Sequence, residues 1–418
     1  MVSGYRPRIA DGELRACLGA AGAVVIEGPK ACGKTRLALQ LAASTVLLDV
    51  DTAARQALAV DPALVLAGPR PRLLDEWQVE PALWNQVRRA VDAVEAPGQF
   101  LLTGSAVPAD DAERHTAAGR FSFLRLRPMS LLESGAGQGG VSLAALLEGE
   151  PPSCADPGLG VADLAELVCR GGWPAQLERP LAAACRAARD YLEQVRQVDV
   201  QRVDGRRRDP QRLGALLRSL GRNVATEVKL STLASDAGGA DGPLDPRTVA
   251  DHLQALERLM VLDNQPAWRP HLRSKAALRQ APRRHFCDPS LAVAALGGSP
   301  DRLLKDLEWL GLLFESLVIR DLRVLAQALE GEVFHYRDDY GVEVDAIVQL
   351  RDGRWGAIEI KLGPGQVEAA AAGLLRFRQQ IDTRRTGEPA FLAVVCGSGY
   401  GYRRADGITV VPVGALGP

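Results

Sequence analysis

Residues 28–35 read GPKACGKT, with two glycines, a lysine and a threonine spaced to hold a phosphate chain. Gly28 and Gly33 let the main chain turn its N–H groups toward phosphate oxygens. Lys34 supplies a positive charge for the β and γ oxygens, and Thr35 a hydroxyl for Mg²⁺. Pro29, Lys30, Ala31 and Cys32 fill the middle of the loop, where the backbone makes the contribution. With Arg36 just beyond, residues 28–36 are the candidate nucleotide contacts. Downstream, RLLDEWQ ends an apolar run with Asp75, suited to complete a Mg²⁺ shell with Thr35. Glu76 beside it is suited to orient or activate an attacking water. FLLTGS brings Thr103 and Ser105 to another strand end, where hydroxyls can sense a γ-phosphate. Arg120, in AAGRF, is a further candidate to reach a nucleotide, in its own subunit or a neighbour's.

A second constellation lies in GVEVDAIVQLRDGRWGAIEIK, residues 341–361. Side chains alternate along a strand, so Glu343 and Asp345 share one face, and Glu359 and Lys361 share a face of the next strand. RDGR supplies the turn between them. The hairpin therefore brings Asp345 toward Glu359 and Lys361. Paired carboxylates repel one another and attract a divalent cation, which can activate water while a lysine stabilises the developing charge. Asp345 and Glu359 are thus candidate ligands of a second Mg²⁺ or a Mn²⁺, and Asp345, Glu359 and Lys361 are candidate catalytic groups. An alternating E-x-K also describes an ordinary solvated strand face.

The elements that must position these residues can be read from periodicity. AVVIEG, STVLLDVD, PRLLDEW and GQFLLTGS are near-continuous apolar runs of the kind found in buried parallel strands. TRLALQLAAS and ALWNQVRRAVDAV carry a helical period between them. Residues 134–160, rich in Gly, Pro, Ser and Ala, read as a flexible connection with one short helix. QRLGALLRSLGRNV, VKLSTLASDAG and DPRTVADHLQALERLMV follow as three helices, the last capped by Asp245 with Pro246 at its first position. An apolar strand after three helices suggests a winged helix, with Arg247 and Thr248 at the start of the third. From residue 300 a long helix leads into EVFHYR, VEVDAIVQL and WGAIEIK, then a helix around GLLRFRQQI, then PAFLAVVC and GITVVPV. This is a mixed α/β domain.

Composition narrows the partners. With 418 residues the chain exceeds one usual core, and a formal charge of −1 confines any nucleic-acid affinity to local patches. Such a patch is offered by Arg269, Arg273, Lys275, Arg279, Arg283 and Arg284, interleaved with Trp268, His271 and His285. The seven cysteines are scattered without metal-ligand spacing, the reading of reduced thiols in a cytoplasmic protein. No apolar run suits a signal peptide or a membrane helix.

Taken in order, GPKACGKTRL, LLDEWQ, FLLTGSA, GRFSFLRLRPMSLLE, RGGWP, DYLEQVRQVDV, HFCDPSL, LLFESLV, YRDDYGVEVDAIV and AIEIKLG resemble a large prokaryotic family of AAA-type ATPases with a C-terminal domain of unknown function. The resemblance implies the usual ATPase roles for Lys34, Thr35, Asp75 and Glu76, and matches Arg120 to an arginine near the nucleotide. The D…E-x-K hairpin resembles the restriction-endonuclease (PD-(D/E)xK) fold, members of which cut nucleic acid or only bind it. Glu315, on the helix LLFESLVI ahead of the hairpin, matches an acid that some members of that fold add, and the resemblance makes it a further candidate metal ligand with Asp345 and Glu359. The expected architecture is α/β: an AAA-type P-loop domain over 1–160, a helical, winged-helix-like domain over 161–295, and a mixed α/β restriction-endonuclease-like domain over 296–418. The expected function is Mg²⁺-dependent ATP hydrolysis coupled to binding or processing of DNA or RNA. The alternative is a nucleotide-dependent switch that recognises a protein partner. A homo-oligomer and a monomer both remain open.

Overall fold

Strands buried on both faces need apolar side chains, and three of the four apolar runs of the N-terminal region, AVVIE, RLLD and FLLTG, are buried in that way, whereas STVL forms a partly exposed edge strand. A computed structural model describes residues 4–105, 116–203, 205–239, 242–271, 280–338 and 341–418. Its contacts define two units. One holds the chain up to Pro128 with Val198–Arg208 and Gln254–Val261; the other holds Met129–Gln197, Asp209–Leu253 and Leu262 onward.

In the first unit β1 (Ala23–Glu27), β2 (Ser44–Leu47), β3 (Arg72–Asp75), β4 (Phe100–Gly104) and β5 (Phe121–Arg125) form a sheet in the order β2-β3-β4-β1-β5. Every pairing is parallel. Alternate residues feed two cores. Ala23, Val25, Phe100 and Leu102 pack with Trp77, Trp84, Val87 and Val91, while Val24, Ile26, Leu101 and Leu124 pack with Leu14, Leu18 and Leu37. The helix expected over TRLALQLAAS is regular only from Lys34 to Ala38. Beyond it, Gln40 and Leu41 bond three residues back, and at Ala43 the amide already turns to the Pro71 carbonyl, leading the chain into β2.

In the second unit β6 (Val141–Ser142), β7 (Gly331–Arg337), β8 (Glu343–Leu350), β9 (Trp355–Lys361), β10 (Phe391–Cys396), β11 (Tyr402–Arg403), β12 (Thr409–Pro412) and β13 (Leu416–Gly417) are the described strands. Six form one mixed sheet, β11-β12-β10-β9-β8-β7, with β7, β8 and β9 antiparallel and β9, β10 and β12 parallel. The helix Val367–Gln380 covers one face through Leu374 and Phe377, against Val344, Ile347, Trp355 and Ala357. The helix Leu307–Ala328 lies against β7, β8 and β9. Residues 134–160 are not the loose connection expected from their composition: β6 pairs with β13, and Cys154 bridges Gly401, so the segment is tied down at both ends.

The three helices anticipated in the middle are Pro210–Arg222, Leu230–Gly238 and Pro246–Arg258. No regular strand follows them among the described residues. Instead single antiparallel bridges join Thr226 to Arg284, Leu262 to Phe286 and Gln265 to Arg283. No described helix is long and apolar enough to cross a membrane.

A buried ionic group ties the helices of the second unit together. Asp288 accepts hydrogen bonds from the Gly172 amide (2.9 Å), the Ser290 hydroxyl (2.6 Å) and Arg320 (2.8 Å). Arg320 also bonds Asp321 at 2.7 Å, and Asp321 accepts from the Leu131 amide at 2.8 Å. Gly172 must lack a side chain, because a Cβ there would collide with the Met129 carbonyl. Removing one member of such a group strands its partners in an apolar interior. Arg320→Ala should therefore destabilise the fold by about 3–5 kcal/mol, read as a loss of denaturation midpoint. A change within experimental error would mean that water satisfies the two aspartates.

Candidate functional site

The parallel register decides what meets at the first sheet's edge. Glu27 pairs with Gly104, and Asp75 with both Thr103 and Leu47, so β1, β3 and β4 end level with one another. The loop after β1 starts at Gly28, where an added Cβ would strike the Leu126 carbonyl. Ala31 at φ 62° and Gly33 at φ 106° are left-handed, which folds the loop back on itself. Lys34 is buried and donates to the carbonyls of Gly28 and Pro29, each at 2.9 Å. Thr35 donates to Asp75 Oδ1 at 2.8 Å, and Thr103 donates to the same oxygen. Glu76 follows in a left-handed conformation at φ 54°, uncommon for a residue with a side chain and a recurrent mark of functional sites. Its carboxylate accepts from Ser105 at 3.0 Å and from Gln78. Arg36 lies exposed on the short helix.

The fold thus gathers the loop, Lys34, Thr35, Asp75, Glu76, Thr103 and Ser105. Arg120 is not among them. Its carbonyl pairs with the Ala23 amide at the opposite end of β1. Five residues of strand at about 3.3 Å each put roughly 16 Å between it and the loop. Its guanidinium pairs instead with Asp92 at 2.7 Å. Three residues escaped the sequence reading. Arg8, buried, donates to the carbonyls of Cys32 (3.0 Å) and Arg127 (2.7 Å) and so braces the loop from below. Asp199 pairs with Lys30 at 2.6 Å. Gln78 holds Glu76. Gln78 and Asp199 lie in the quoted blocks LLDEWQ and DYLEQVRQVDV without having been singled out, and only the fold brings Arg8 and Asp199 to the loop.

The acidic hairpin also assembles, with a change. The β7–β8 register shifts so that Asp345 and Ala346 together stand opposite His335, with Phe334 facing Ile347 and Tyr336 facing Val344. This bulge breaks the strict alternation expected of β8 and re-aims Asp345. Gln265 braces it, donating to the carbonyls of Asp345 (2.9 Å) and Phe334 (3.0 Å). Asp345 accepts from Lys361 (3.0 Å) and from the Ile360 amide (2.9 Å), and Lys361 pairs with Glu359 at 2.7 Å.

What the sequence did not suggest is Arg283 within this acidic group. Its side chain, 7% exposed, bonds Glu315 at 2.7 Å, Asp345 at 3.1 Å and Glu343 at 3.3 Å. It occupies the space between Glu315 and Asp345 where a divalent cation would have to lie. Among the described residues no group of three acids, histidines or cysteines could hold a metal ion. Glu315, Asp345 and Glu359 therefore do not fit a second Mg²⁺ or Mn²⁺ in this arrangement. The basic patch shrinks by the same observation. Arg283 and His285 are buried, and buried Trp268 donates to Gln349 and packs on Trp355 with ring centroids 4.7 Å apart. Arg269 is exposed and His271 and Arg284 are half-buried, while Arg273, Lys275 and Arg279 lie outside the described residues.

Charge balance sets the protonation of this group. Three buried carboxylates face two cations, Arg283 and Lys361. Burial, reinforced by the Asp345 charge, pushes both Glu315 and Glu359 up to about 8. Burial opposes ionisation of Asp345 too, but Lys361, Arg283 and the Ile360 amide outweigh it and hold its carboxyl below the usual value.

Residues 20–134 match the model of an AAA domain, residues 161–302 that of a domain of unknown function (DUF8612), and residues 310–416 that of another domain of unknown function (DUF4143). Nothing among curated proteins matches the chain. A solved Walker-type ATPase of Pyrococcus abyssi is similar with a TM-score of 0.43 and 13% identity, covering 68% of this chain and 94% of that one. The AAA match spans the loop and the strand ends gathered beside it, and it supports ATP binding and hydrolysis by this part of the chain.

The raised glutamates have a consequence for stability. A carboxyl with a folded-state pKa above its unfolded value favours the fold when protonated, so its contribution is complete below the unfolded value and is lost as pH rises to the folded one. For Glu315 and Glu359 that window runs from the ordinary glutamate value of 4.5 to about 8. Glu315→Gln should flatten the decline of melting temperature across this interval. A variant whose profile parallels the wild type would show that Glu315 is ionised throughout.

Proposed function

We infer that this protein is a Mg²⁺-dependent ATPase that couples hydrolysis to binding of nucleic acid, with a nuclease-like C-terminal domain that recognises rather than cuts. One observation carries the ATPase reading: Thr35 and Thr103 converge on Asp75 beside a loop whose lysine is capped by its own carbonyls. Lys34 would exchange the Gly28 and Pro29 carbonyls for the β and γ oxygens of ATP, with the main-chain N–H groups of residues 28–36 other than Pro29, which has none, around the phosphates. Thr35 and Asp75 would hold Mg²⁺, which when bound neutralises phosphate charge. Glu76 would orient the water that attacks the γ-phosphorus while the bond to the β–γ bridging oxygen breaks, leaving ADP and phosphate. Ser105 and Gln78 set the direction of its carboxylate.

For nucleic acid, the supporting pattern is the order of three helices and bridged segments, as in a winged helix, with Arg247 exposed at the start of the third helix. Readers of the major groove place their contacts there. Arg283 favours the reading of the restriction-endonuclease-like domain as a binding module, since a metal-dependent cut needs the space it fills. The same feature suits the second reading, a nucleotide-dependent switch whose C-terminal domain recognises a protein.

Lys34→Ala should abolish phosphate release from ATP, and unchanged turnover in that variant would sink the ATPase reading. Glu76→Gln should still bind ATP while turning over about 10²–10⁴-fold more slowly, the usual range for a positioned acid or base. With ATP and Mg²⁺, the Glu76→Gln protein should retard labelled DNA or RNA, and adding Arg247→Glu should weaken that binding. Absence of binding in every nucleotide state would move the choice to a protein partner. Without nucleotide, Arg283→Gln should take up Mn²⁺ that wild type does not, followed by the paramagnetic resonance of free Mn²⁺. Equal uptake by wild type would mean that Arg283 does not close the acidic group.

A further inference from the structure

Lys30 is not required by the phosphate-loop pattern, whose middle positions contribute backbone. Its ammonium nevertheless makes the 2.6 Å ion pair with Asp199, a residue 169 positions away. The two ends of this pair differ in surroundings. The Lys30 side chain is 42% exposed, at the mouth of the loop, whereas that of Asp199 is 7% exposed. Asp199 closes a single π-helical turn, Val195–Asp199, that follows the helix Leu181–Gln194. Such turns are rare and recur at functional sites. The chain here joins the first unit only for Val198–Arg208 before returning to the second at Asp209. Meanwhile Lys34, the cation that should meet the β and γ oxygens, is folded onto the carbonyls of Gly28 and Pro29. The loop therefore holds two lysines within four residues, one capped by its own backbone and one by a distant carboxylate.

We propose that Lys30 is shared between Asp199 and the phosphates of the bound nucleotide, so that ATP binding releases Asp199 and loosens the Val195–Val203 segment. This rests on the ATPase reading and adds to it a residue that reports whether the loop is filled. The physical driver is competition for one ammonium. A nucleotide in the loop brings several negative oxygens to an exposed lysine, and charge-assisted bonds to phosphate are strong. A carboxylate left buried without its cation is costly, so Asp199 must gain water, which the π-turn allows by relaxing. Linkage makes the effect reciprocal: whatever Asp199 contributes by holding Lys30 must be overcome by ATP.

The test uses the full chain with Glu76→Gln to prevent turnover, ATP with Mg²⁺, and calorimetric titration. Asp199→Asn should bind ATP more tightly than its parent, about five-fold or more, the lower end of ordinary coupling. Lys30→Met should bind more weakly, and adding Asp199→Asn to it should change nothing further. Independently of any substitution at 30 or 199, ATP should raise hydrogen exchange in peptides covering residues 195–203. Unaltered affinity in a folded Asp199→Asn protein, or exchange that ATP leaves unchanged, overturns the proposal while the ATPase reading stands, provided Lys34→Ala abolishes binding. If the parent binds no ATP at all, both fall together.

Discussion

Parallel strands in step are the condition on which the nucleotide edge depends. Asp75 can accept from Thr35 and Thr103 at once only because β3 is paired to β4 at Asp75–Thr103 and β1 ends beside them. A slip of one residue would turn Asp75 into a core occupied by Leu74 or Leu73 and leave Thr35 without a partner. What fixes the register is the burial of both faces. Val24 and Ile26 face one core, Val25 and Ala23 the other, and each is filled by its own helices. Glu27, Asp75 and Thr103 stand at or next to the last position of β1, β3 and β4, where the apolar requirement ends and main-chain groups of the following loops become available.

The acidic group of the second unit obeys a different constraint. It is enclosed, so its balance of charge rather than its access decides its state. Glu315 comes from a helix, Asp345 from a bulged strand, Glu359 and Lys361 from the next strand, and Arg283 from a bridged segment upstream. Ionising all three buried carboxylates would leave one charge unmatched. The protein answers with burial-raised glutamates and a well-ionised Asp345, which sits between both cations and takes the Ile360 amide as well. The E-x-K pattern alone could not distinguish this from an open metal site, because the deciding cation is remote in sequence.

That contrast accounts for what could be read in advance. The loop, Lys34, Thr35, Asp75 and Glu76 were legible because their chemistry is written in short spacings whose strands identify themselves by apolar runs. The hairpin was legible for the same reason, since its turn and its two strands are consecutive. Arg120 falls outside this edge in its own chain, and composition does not say at which end of a strand a flanking residue falls: the residue lies at the start of β5, away from the strand ends that carry the loop. Arg283, Trp268 and His285 were grouped as a basic, aromatic surface because polarity was read without burial. Each has partners tens of residues away that no local pattern announces. The bulge at Asp345 was equally hidden, since it is set by pairing with β7 and by Gln265.

Gln265 and Arg283 show how firmly the acidic group is closed. Their main chains bond each other in both directions, Gln265 N–H to the Arg283 carbonyl at 2.9 Å and the reverse at 3.0 Å. The Gln265 side chain in turn grips the bulge that carries Asp345, and its carbonyl oxygen meets His285 at 3.3 Å. The guanidinium can swing only about its own side-chain bonds, since its backbone is held in this ladder. Withdrawing it would leave Glu315 and Asp345 facing each other across a buried gap, at a cost of about 3–5 kcal/mol for breaking such a pair. A divalent cation would have to return that amount and its own dehydration before it could bind. Opening the site therefore requires either a substitution at Arg283 or a ligand that competes for the guanidinium itself, and a phosphate group is a chemistry suited to do so.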